Sequence, residues 1–433
     1  MPVRLDASAA GFTAAFATLV GAKRGTATDV EQAVAEILRE VRLRGDTAVL
    51  AYTERFDRLR IEAAGMRLTQ AEIDAAYAAC APDILAALRL AAARIEDYHR
   101  RMLPLDLNYR DSAGVRLGAR WTAIDAVGLY VPGGTAAYPS TVLMNAVPAK
   151  VAGVARVAMT VPAPDGKLNP LVLAAARIAG VDEIYRIGGA QAVAALAFGT
   201  ATIAAVDKIV GPGNVYVAAA KRQIFGQVGI DTIAGPSEVV IVADGQNDPL
   251  WIATDLLAQA EHDADAQSIL ITDDAGFAAK VETAIGEQLR TLPRANIAAA
   301  SWHQHGAVIV VAVLADAVPL VDRLAPEHVQ LAVAEPDALA ARIRHAGAIF
   351  LGRYTPEAFG DYLAGPNHVL PTDRTARFSS GLGVLDFLKR MSVIGCDSAS
   401  LAKLGPAAIA LARAEGLEAH ARSLALRLPG ATP

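Results

Sequence analysis

The chain has 433 residues, of which 53% are hydrophobic and 20% are charged, and its formal net charge at pH 7 is −5. A chain of this length favours roughly two to three domains over a single compact core. The negative charge and the lack of a Lys/Arg-rich run argue against a nucleic-acid-binding protein.

The two cysteines, Cys80 and Cys396, lie far apart and lack the spacing of a metal site. This usage indicates a reduced, cytoplasmic protein. The first residues lack the pattern of a signal peptide. No uninterrupted apolar run reaches the roughly 18 to 20 residues that a membrane span needs. We therefore expect no membrane partner.

The first quarter of the chain is predicted to be helical. Residues 1–22 favour a short strand and an amphipathic helix, and a second helix is expected over residues 30–44. Thr69 and Glu72 have the spacing of a capping box, which opens an Ala-rich helical run. This part of the sequence offers little obvious chemistry.

Near residue 120 the pattern changes to strands that alternate with helices of about ten residues, which is typical of a parallel, doubly wound sheet. The strands are expected at 121–131, 157–161, 183–187 and 208–210, and the helices at 144–153, 171–180, 191–199 and 215–225. Ser140 and Thr141 are expected to cap the first of these helices.

A second run of the same kind begins at residue 238. Its strands are expected at 239–243, 268–272, 306–311, 329–333 and 348–350, and its helices at 249–262, 275–288 and 336–345. The tail from residue 384 is predicted to be mostly helical, with helices at 398–404 and 406–427.

Three glycine-containing loops follow strands of the first run, at 133–134, 188–189 and 211–213. Ligands of such sheets bind beyond the carboxyl ends of the strands, where glycine lets the backbone approach a pyrophosphate. Each loop alone is more often a simple turn. Because all three would converge on one rim, together they favour a cofactor site.

Gln259 and His262 are three residues apart on a predicted helix and can therefore face one ligand. The last turn of a helix has partial negative charge, which suits a cation. Glutamine is an uncommon zinc ligand, and at least two further ligands would be needed. The alternative is a solvated helix end.

Further polar residues are candidates on weaker grounds. Glu327 and His328 would form an acid–base pair at the entrance of a strand, or else an exposed loop. Asp361 precedes a Gly-Pro-Asn-His loop. Glu415 and His420 would lie about 140° apart on an ideal helix, and their simplest interpretation is a solvent-facing tail.

Eight segments, taken together and in order, make the chain resemble the histidinol dehydrogenase family over nearly its whole length. The segments are 127–134, 187–192, 209–214, 231–238, 257–262, 325–328, 365–371 and 415–420.

The resemblance implies an α/β fold with two incomplete Rossmann-like, doubly wound parallel-sheet domains in an intertwined homodimer. We expect small helical extensions at both ends. The implied divisions are an N-terminal extension, 1–22; a first α/β domain on the substrate and zinc side, 23–129 with 238–381; a second α/β domain on the NAD side, 130–237; and a helical tail that reaches the partner subunit, 382–433.

The resemblance also implies the chemistry: oxidation of L-histidinol via L-histidinal to L-histidine, with two NAD⁺ used in turn and one zinc ion per subunit. Glu327 and His328 match the family's acid–base pair. Its zinc ligands match Gln259, His262, Asp361 and His420, and its NAD⁺ contacts match Tyr130, Gln191 and Asn214. Its substrate contacts match Ser237, Gln259, His262, His328, Asp361, Glu415 and His420, the last two acting from the partner subunit.

The chain departs from the family in one loop, where Asp373 and Arg374 replace the usual Gly-Gly, and Gly383 stands where the family often has Ser. The substituted loop is expected to be stiffer or reshaped. One alternative function is a dehydrogenase of the same superfamily for another small alcohol, such as a sulfonated diol. Another is a catalytically silent, metal-bound dimer.

Overall fold

The computed structural model describes residues 2–22, 28–133, 138–233 and 235–428, and all statements of structure refer to these. The strands, in chain order, are β1 Val3–Asp6, β2 Leu107–Arg110, β3 Arg116–Ala123, β4 Ala126–Tyr130, β5 Arg156–Thr160, β6 Glu183–Tyr185, β7 Lys208–Val210, β8 Gly229–Ile230, β9 Glu238–Ala243, β10 Gln267–Thr272, β11 Ala307–Val310, β12 His328–Ala332, β13 Ala348–Leu351 and β14 Leu388–Gly395.

The helices, in chain order, are α1 Phe12–Gly21, α2 Thr28–Arg44, α3 Asp46–Asp57, α4 Gln70–Ala78, α5 Pro82–Arg101, α6 Pro139–Ala152, α7 Pro170–Ile178, α8 Gly189–Phe198, α9 Val215–Ile224, α10 Pro249–Ala260, α11 Ala275–Gln288, α12 Ala295–His305, α13 Ala317–Leu324, α14 Pro336–Ala340, α15 Glu357–Tyr362, α16 Ser398–Ala414 and α17 Glu418–Ala425.

The larger of the two parallel sheets has six strands, in the order β1-β11-β10-β9-β12-β13. Successive side chains of a strand face opposite sides, so Val239 and Ile241 pack in one core cluster and Val240 and Val242 in another. Both faces of the sheet are therefore covered by helices, which explains why its strands are nearly continuous apolar runs.

A second parallel sheet has five strands in the order β6-β5-β4-β7-β8, and it too has an apolar core on each face. The chain runs outward from β4 in one direction through β5 and β6, and then returns to the other side of β4 with β7. Ligands of open α/β sheets bind at such a reversal point. The loops after β4 and β7 therefore flank the expected crevice.

The domain divisions stay a prediction, but the sheets show which segments fold together. The larger sheet contains strands from 3–6 and from 238–351, and the five-stranded sheet contains strands from 126–230. The predicted boundary between residues 129 and 130 falls inside β4.

The prediction of a helical tail is wrong for β14. Residues 388–395 pair antiparallel with β3, which also pairs with β2 in a three-stranded sheet. In the strand conformation, the backbone amides and carbonyls of β14 form hydrogen bonds with β3, whereas the side chains of β14 are mostly exposed. The segment Leu-Lys-Arg-Met-Ser-Val-Ile-Gly lacks the buried apolar alternation from which strands are predicted.

The tail helices also differ from their predicted bounds. α16 continues through Pro406 to Ala414, and the chain then turns at Gly416, whose φ is +75°, before α17 begins. Glycine adopts this left-handed conformation without a steric penalty. Glu415 therefore directly follows α16, whereas His420 lies in α17, so the two residues do not share one helix.

Other local predictions met mixed outcomes. The capping box of Thr69 and Glu72 is confirmed at the start of α4. α6 begins at Pro139, so Ser140 and Thr141 lie inside it and do not cap it. Helices α12 and α13 were not predicted. No single helix of the described chain is long and apolar enough to cross a membrane; only α4 and α5 together meet that test, and they are bent by 114°.

Candidate active site

The predicted acid–base pair lies at the amino edge of the six-stranded sheet. Ala325, with a φ of +45°, and Pro326 turn the chain into β12, so that Glu327 directly precedes the strand and His328 is its first residue. Glu327 is 6% exposed and His328 is 4% exposed. The alternative of an exposed loop is thus wrong for these two side chains.

The neighbouring strand β9 fixes both side chains through its first residue. The Glu238 amide donates a hydrogen bond to Glu327 Oε2 at 3.0 Å, and the Glu238 carbonyl oxygen lies 3.0 Å from His328 Nδ1. A carbonyl can only accept, so Nδ1 must have the proton. His328 Nε2 is then an unprotonated nitrogen, and it is buried without a partner in the described structure. This tautomer suits a general base.

Gln259 lies in the last turn of α10, whereas His262 lies two residues beyond its end, so the predicted helix 249–262 is slightly too long. Gln259 is completely buried, and neither its Oε1 nor its Nε2 has a hydrogen-bond partner in the described structure. A buried amide without partners requires an explanation such as a bound ion, water or ligand.

Helix α15 adds two carboxylates to the pocket, Glu357 and Asp361. Residues four apart on a helix share a face, and ligand atoms of Glu357, Asp361 and His262 lie within 4.8 Å of one another. Glu357 Oε1 also lies 3.5 Å from His328 Nδ1. Glu357 was not among the predicted site residues, although its spacing of four from Asp361 places both on one face of a helix.

His368 connects this pocket to the five-stranded sheet. Its Nδ1 lies 3.0 Å from the carbonyl oxygen of Asp361, and its Nε2 lies 3.5 Å from the hydroxyl of Thr141 in the first turn of α6. His368 lies in the Gly-Pro-Asn-His loop but was not among the predicted site residues. The contact brings the carboxyl edge of the five-stranded sheet next to the buried carboxylates.

Burial sets the protonation states of these groups. It raises the pKa of Glu327 well above its ordinary value, and the neighbouring Glu238 charge raises it further. It raises the pKa of Asp361 to about 7 and lowers the pKa of His328 to about 3. Desolvation also lowers the pKa of His262, although that residue as a whole is exposed, which is consistent with a position at the mouth of the pocket. Without a cation, the pocket favours neutral side chains.

The donor set suits a zinc ion. Zn²⁺ binds imidazole nitrogen and carboxylate oxygen, and both types are present in His262, Glu357 and Asp361. The partnerless Gln259 amide is consistent with a further ligand position at the same pocket. A cation among the carboxylates would reverse the effect of burial on their pKa values. The residues present therefore fit the metal that the family resemblance implies.

Two predicted site residues do not join this pocket within one chain. Glu415 and His420 are exposed, and in the described part of the chain neither side chain forms a hydrogen bond or an ion pair. They lie on either side of the turn at Gly416, between α16 and α17.

The predicted NAD⁺ contacts lie at the carboxyl edge of the five-stranded sheet. Tyr130 ends β4 and accepts a hydrogen bond at its phenol oxygen from the Gly189 amide at 3.0 Å; burial raises its pKa to about 12. Gln191 is 1% exposed, and its Oε1 lacks a partner in the described structure. Asn214 Oδ1 caps α9 by accepting from the amides of Tyr216 and Val217. Gly134 lies outside the described residues.

Asp373 and Arg374 have φ values of +51° and +64°. These lie in the left-handed region that favours glycine, which explains why a Gly-Gly pair suits this loop. The Asp373 amide donates to Glu238 Oε1 at 3.2 Å, so the loop is attached to the residue that fixes the acid–base pair.

The family model described as histidinol dehydrogenase matches residues 22–428. A histidinol dehydrogenase of Rhodospirillum rubrum is 66% identical over 429 residues, covering 99% of each chain.

The chain belongs to the histidinol dehydrogenase family.

Two further relatives agree with this membership. The histidinol dehydrogenase of Rhodopseudomonas palustris is 64% identical over 428 residues, covering 99% of each chain. The crystal structure of histidinol dehydrogenase from Elizabethkingia anophelis superimposes with a TM-score of 0.94 at 34% identity, covering 98% of both chains. The predicted family is confirmed, and with it an NAD-dependent oxidoreductase of histidine biosynthesis.

Proposed function

We propose that the chain oxidises L-histidinol through L-histidinal to L-histidine, with two NAD⁺ consumed in succession, in the pocket formed by β9, β12, α10 and α15. The main support for this proposal is that the predicted acid–base pair lies in the same pocket as a group of side chains that could bind a metal ion. Glu327 and His328 share that pocket with Glu357, and His262 and Asp361 complete it.

His328 suits the first proton transfer. Its Nε2 accepts the hydroxyl proton while the carbinol carbon loses a hydride to the nicotinamide, which gives the aldehyde and NADH. The Glu238 carbonyl holds the protonated Nδ1, so the ring keeps its orientation when Nε2 becomes protonated. Glu357 lies 3.5 Å from Nδ1 and can stabilise the resulting imidazolium.

Glu327 suits the hydration step. As a carboxylate it takes a proton from the water that adds to the aldehyde carbon, while the His328 imidazolium returns its proton to the aldehyde oxygen, which gives the gem-diol. The gem-diol then loses a hydride to the second NAD⁺ and a hydroxyl proton to His328 Nε2, which leaves the carboxylic acid of histidine. Burial keeps the pKa of Glu327 high, which makes it a stronger base than an exposed carboxylate once it is ionised. The Ser237 hydroxyl hydrogen-bonds this carboxyl group.

We propose Gln259, His262 and Asp361, with His420 of the partner subunit, as zinc ligands. When bound, zinc would hold the imidazole and amine nitrogens of the substrate and so fix the alcohol carbon for reaction. Ser237, His328 and the partner subunit's Glu415 are proposed to contact the substrate. A carboxylate such as Glu415 suits an ammonium group.

The proposed cofactor site is the Rossmann-like crevice beyond β4 and β7, with Tyr130, Gln191 and Asn214 as NAD⁺ contacts. The reversal of strand order there supports this assignment, as does the contact of His368 with Thr141, which joins the crevice to the substrate pocket.

We also propose an intertwined, cytoplasmic homodimer in which the tail completes the site of the partner. Large apolar side chains are exposed on the three-stranded sheet and tail, including Ile394 at 72% and Leu411 at 66%. Exposed apolar surface of this kind is typical of an interface. It also agrees with the absence of Glu415 and His420 from the pocket of their own chain.

The deciding experiment is steady-state NADH formation with L-histidinol before chelation, after chelation and after zinc is restored. We expect activity that chelation removes and zinc recovers. Inactivity of a fully zinc-loaded protein would reject the proposal and leave the silent, metal-bound dimer. Activity only with a sulfonated diol would favour the other dehydrogenase, which the proposed Glu415 contact disfavours, because a sulfonate group would favour a basic residue at that position.

A further inference from the structure

A second cluster of buried charge lies outside the substrate pocket, beside the proposed cofactor crevice. Lys221 of α9 and Asp231, directly after β8, form an ion pair whose side chains are only 3% and 2% exposed. A buried ion pair is weak evidence for stability, because desolvation offsets its attraction. Its retention in a core therefore calls for another reason.

Both charges also hold the backbone of one loop residue, Gly211. Lys221 Nζ donates to the Gly211 carbonyl oxygen at 3.0 Å, and the Gly211 amide donates to Asp231 Oδ2 at 2.7 Å. Lys221 also donates to Asp231 Oδ1. The two side chains and the two peptide groups of Gly211 thus form a closed ring of hydrogen bonds.

Gly211 in turn packs directly on the end of β4. Its φ is +111°, and a Cβ atom at this position would lie 2.1 Å from the carbonyl oxygen of Tyr130. Three residues later, Asn214 caps the start of α9, the helix that contains Lys221. The ring of hydrogen bonds therefore sets how the loop 211–214 lies against Tyr130. Asn214 of this loop and Tyr130 are two of the three proposed NAD⁺ contacts.

Asp231 also begins the crossover to the other sheet, which ends at Ser237. At the far end of that crossover, the Gly235 amide donates to Thr372 Oγ1 at 2.6 Å, and Glu238 holds the acid–base pair. The ion pair thus anchors the cofactor side of a segment whose other end is anchored at the substrate pocket.

We propose that the buried Lys221–Asp231 ion pair is a positioning element that sets NAD⁺ affinity by holding the 211–214 loop against Tyr130. This inference rests on the proposed cofactor crevice. Neither residue needs to touch the cofactor, because the effect is transmitted through Gly211.

The test is the double variant K221M/D231N. Removing both charges avoids an uncompensated buried ion, so this variant is expected to fold, whereas K221M alone leaves Asp231 unpaired. The Gly211 carbonyl loses its donor in both. We expect the dissociation constant for NADH and the KM for NAD⁺ to rise by about tenfold or more, with the KM for L-histidinol unchanged.

Lys208 of β7 provides a control lysine outside the ring of hydrogen bonds around Gly211. It forms an ion pair with Asp386 and donates to the Asp386 carbonyl oxygen at 2.8 Å, but it lies at the start of β7, away from the loop after that strand. K208M removes a comparable lysine without touching Gly211, so NADH affinity should stay at the wild-type value.

Direct NADH binding, measured by fluorescence without turnover, separates this inference from the proposed function. If the wild type fails to oxidise L-histidinol but K221M/D231N still binds NADH more weakly, the proposed function fails and the positioning role stands. If the folded double variant binds NADH as the wild type does, the inference is overturned. An equal loss of NADH and L-histidinol binding, with a lower Tm, would also overturn it, since that result indicates only general destabilisation.

Discussion

The two sheet edges that meet near His368 use different chemical groups. At the carboxyl edge of the five-stranded sheet the relevant groups are a phenol, amides and backbone groups of glycine loops, such as Tyr130, Gln191 and Gly211. At the amino edge of the six-stranded sheet they are buried carboxyl and imidazole groups. The first set can orient a cofactor but cannot exchange protons near neutral pH, whereas the second set includes Asp361, whose pKa is raised to about 7 by burial.

This contrast gives each edge a kinetic signature. Changes at the six-stranded sheet should reduce kcat, because they alter proton transfer. Changes at the five-stranded sheet should raise the KM for NAD⁺, because they alter the shape of the crevice. The following variants test that separation.

The largest effect is expected for His328→Asn. Asparagine can still donate to the Glu238 carbonyl, but it has no basic nitrogen in place of Nε2. We expect kcat to fall by about 10³-fold, since positioned acid–base groups contribute roughly 10² to 10⁴, with the KM for NAD⁺ unchanged. His303→Asn, at an exposed position of α12, is the control. A comparable fall in the control, or a change confined to KM, would contradict the assignment.

The next largest effect tests whether the pocket at the six-stranded sheet is completed by residues of the partner subunit. His420→Ala and Glu327→Gln proteins should each be nearly inactive. Random reassociation makes half of the dimers heterodimers, and each of these regains one intact site of two, so about a quarter of wild-type activity should return. A verified heterodimer without activity would argue against a site completed by the partner subunit.

A smaller effect is expected for Tyr130→Phe at the other edge. The change removes the phenol oxygen that accepts from the Gly189 amide, which leaves a partly buried donor unpaired. Such a loss costs about 1 to 3 kcal/mol, so the KM for NAD⁺ should rise about tenfold while kcat changes little. Tyr216→Phe, whose residue is partly exposed at the start of α9, serves as the control. An effect on kcat alone would contradict the separation of roles.

Asp361 predicts the pH dependence of the metal-free protein. Its pKa is about 7 in the fold against an ordinary value of 3.8, so the unfolded chain releases this proton at lower pH than the folded chain does. The protonated side chain therefore contributes fully to the stability of the fold below its ordinary pKa of 3.8, and this contribution is lost as the pH rises to about 7. Chelated wild type should therefore lose more thermal stability than chelated Asp361→Asn between about pH 4 and pH 7. Parallel Tm curves for the two proteins would exclude this contribution.

The smallest effect is expected for Arg374→Gly, which restores glycine at a left-handed position. Relief of about 1 kcal/mol of backbone strain is offset in part by the flexibility of glycine in the unfolded chain. The free energy of unfolding should rise by less than about 1 kcal/mol, whereas Arg377→Gly, in the helical turn Thr375–Arg377, should lower it. Denaturant unfolding measures both, and equal losses would contradict the argument.

The sequence predicted the parallel sheets well, because strands buried on both faces are continuous apolar runs. It failed for β14, whose side chains are mostly exposed and whose strand conformation depends on pairing with β3, more than 260 residues earlier in the chain. The helix through Pro406 was missed for a related reason, since proline normally ends a helix.

For the site, motif resemblance identified residues that spacing alone could not bring together. Glu327 directly precedes β12, His262 follows α10 and Asp361 lies in α15, and only the tertiary fold places them in one pocket. Glu357 was missed because it lies in no recognisable motif, although it lies close to His328 in the fold. His368 was missed because its contact with Thr141, which joins the two halves of the site, exists only in the tertiary structure.

The acid–base pair is held by peptide groups of Glu238 and not by its side chain. Every amino acid except proline supplies the same amide and carbonyl, so this part of the geometry is insensitive to side-chain substitution at that position. Alanine scanning would therefore overlook it, and replacement of the backbone amide by an ester would be needed to measure its contribution. Sequence drift at residue 238 can alter the Asp373 loop while leaving the orientation of the His328 imidazole intact.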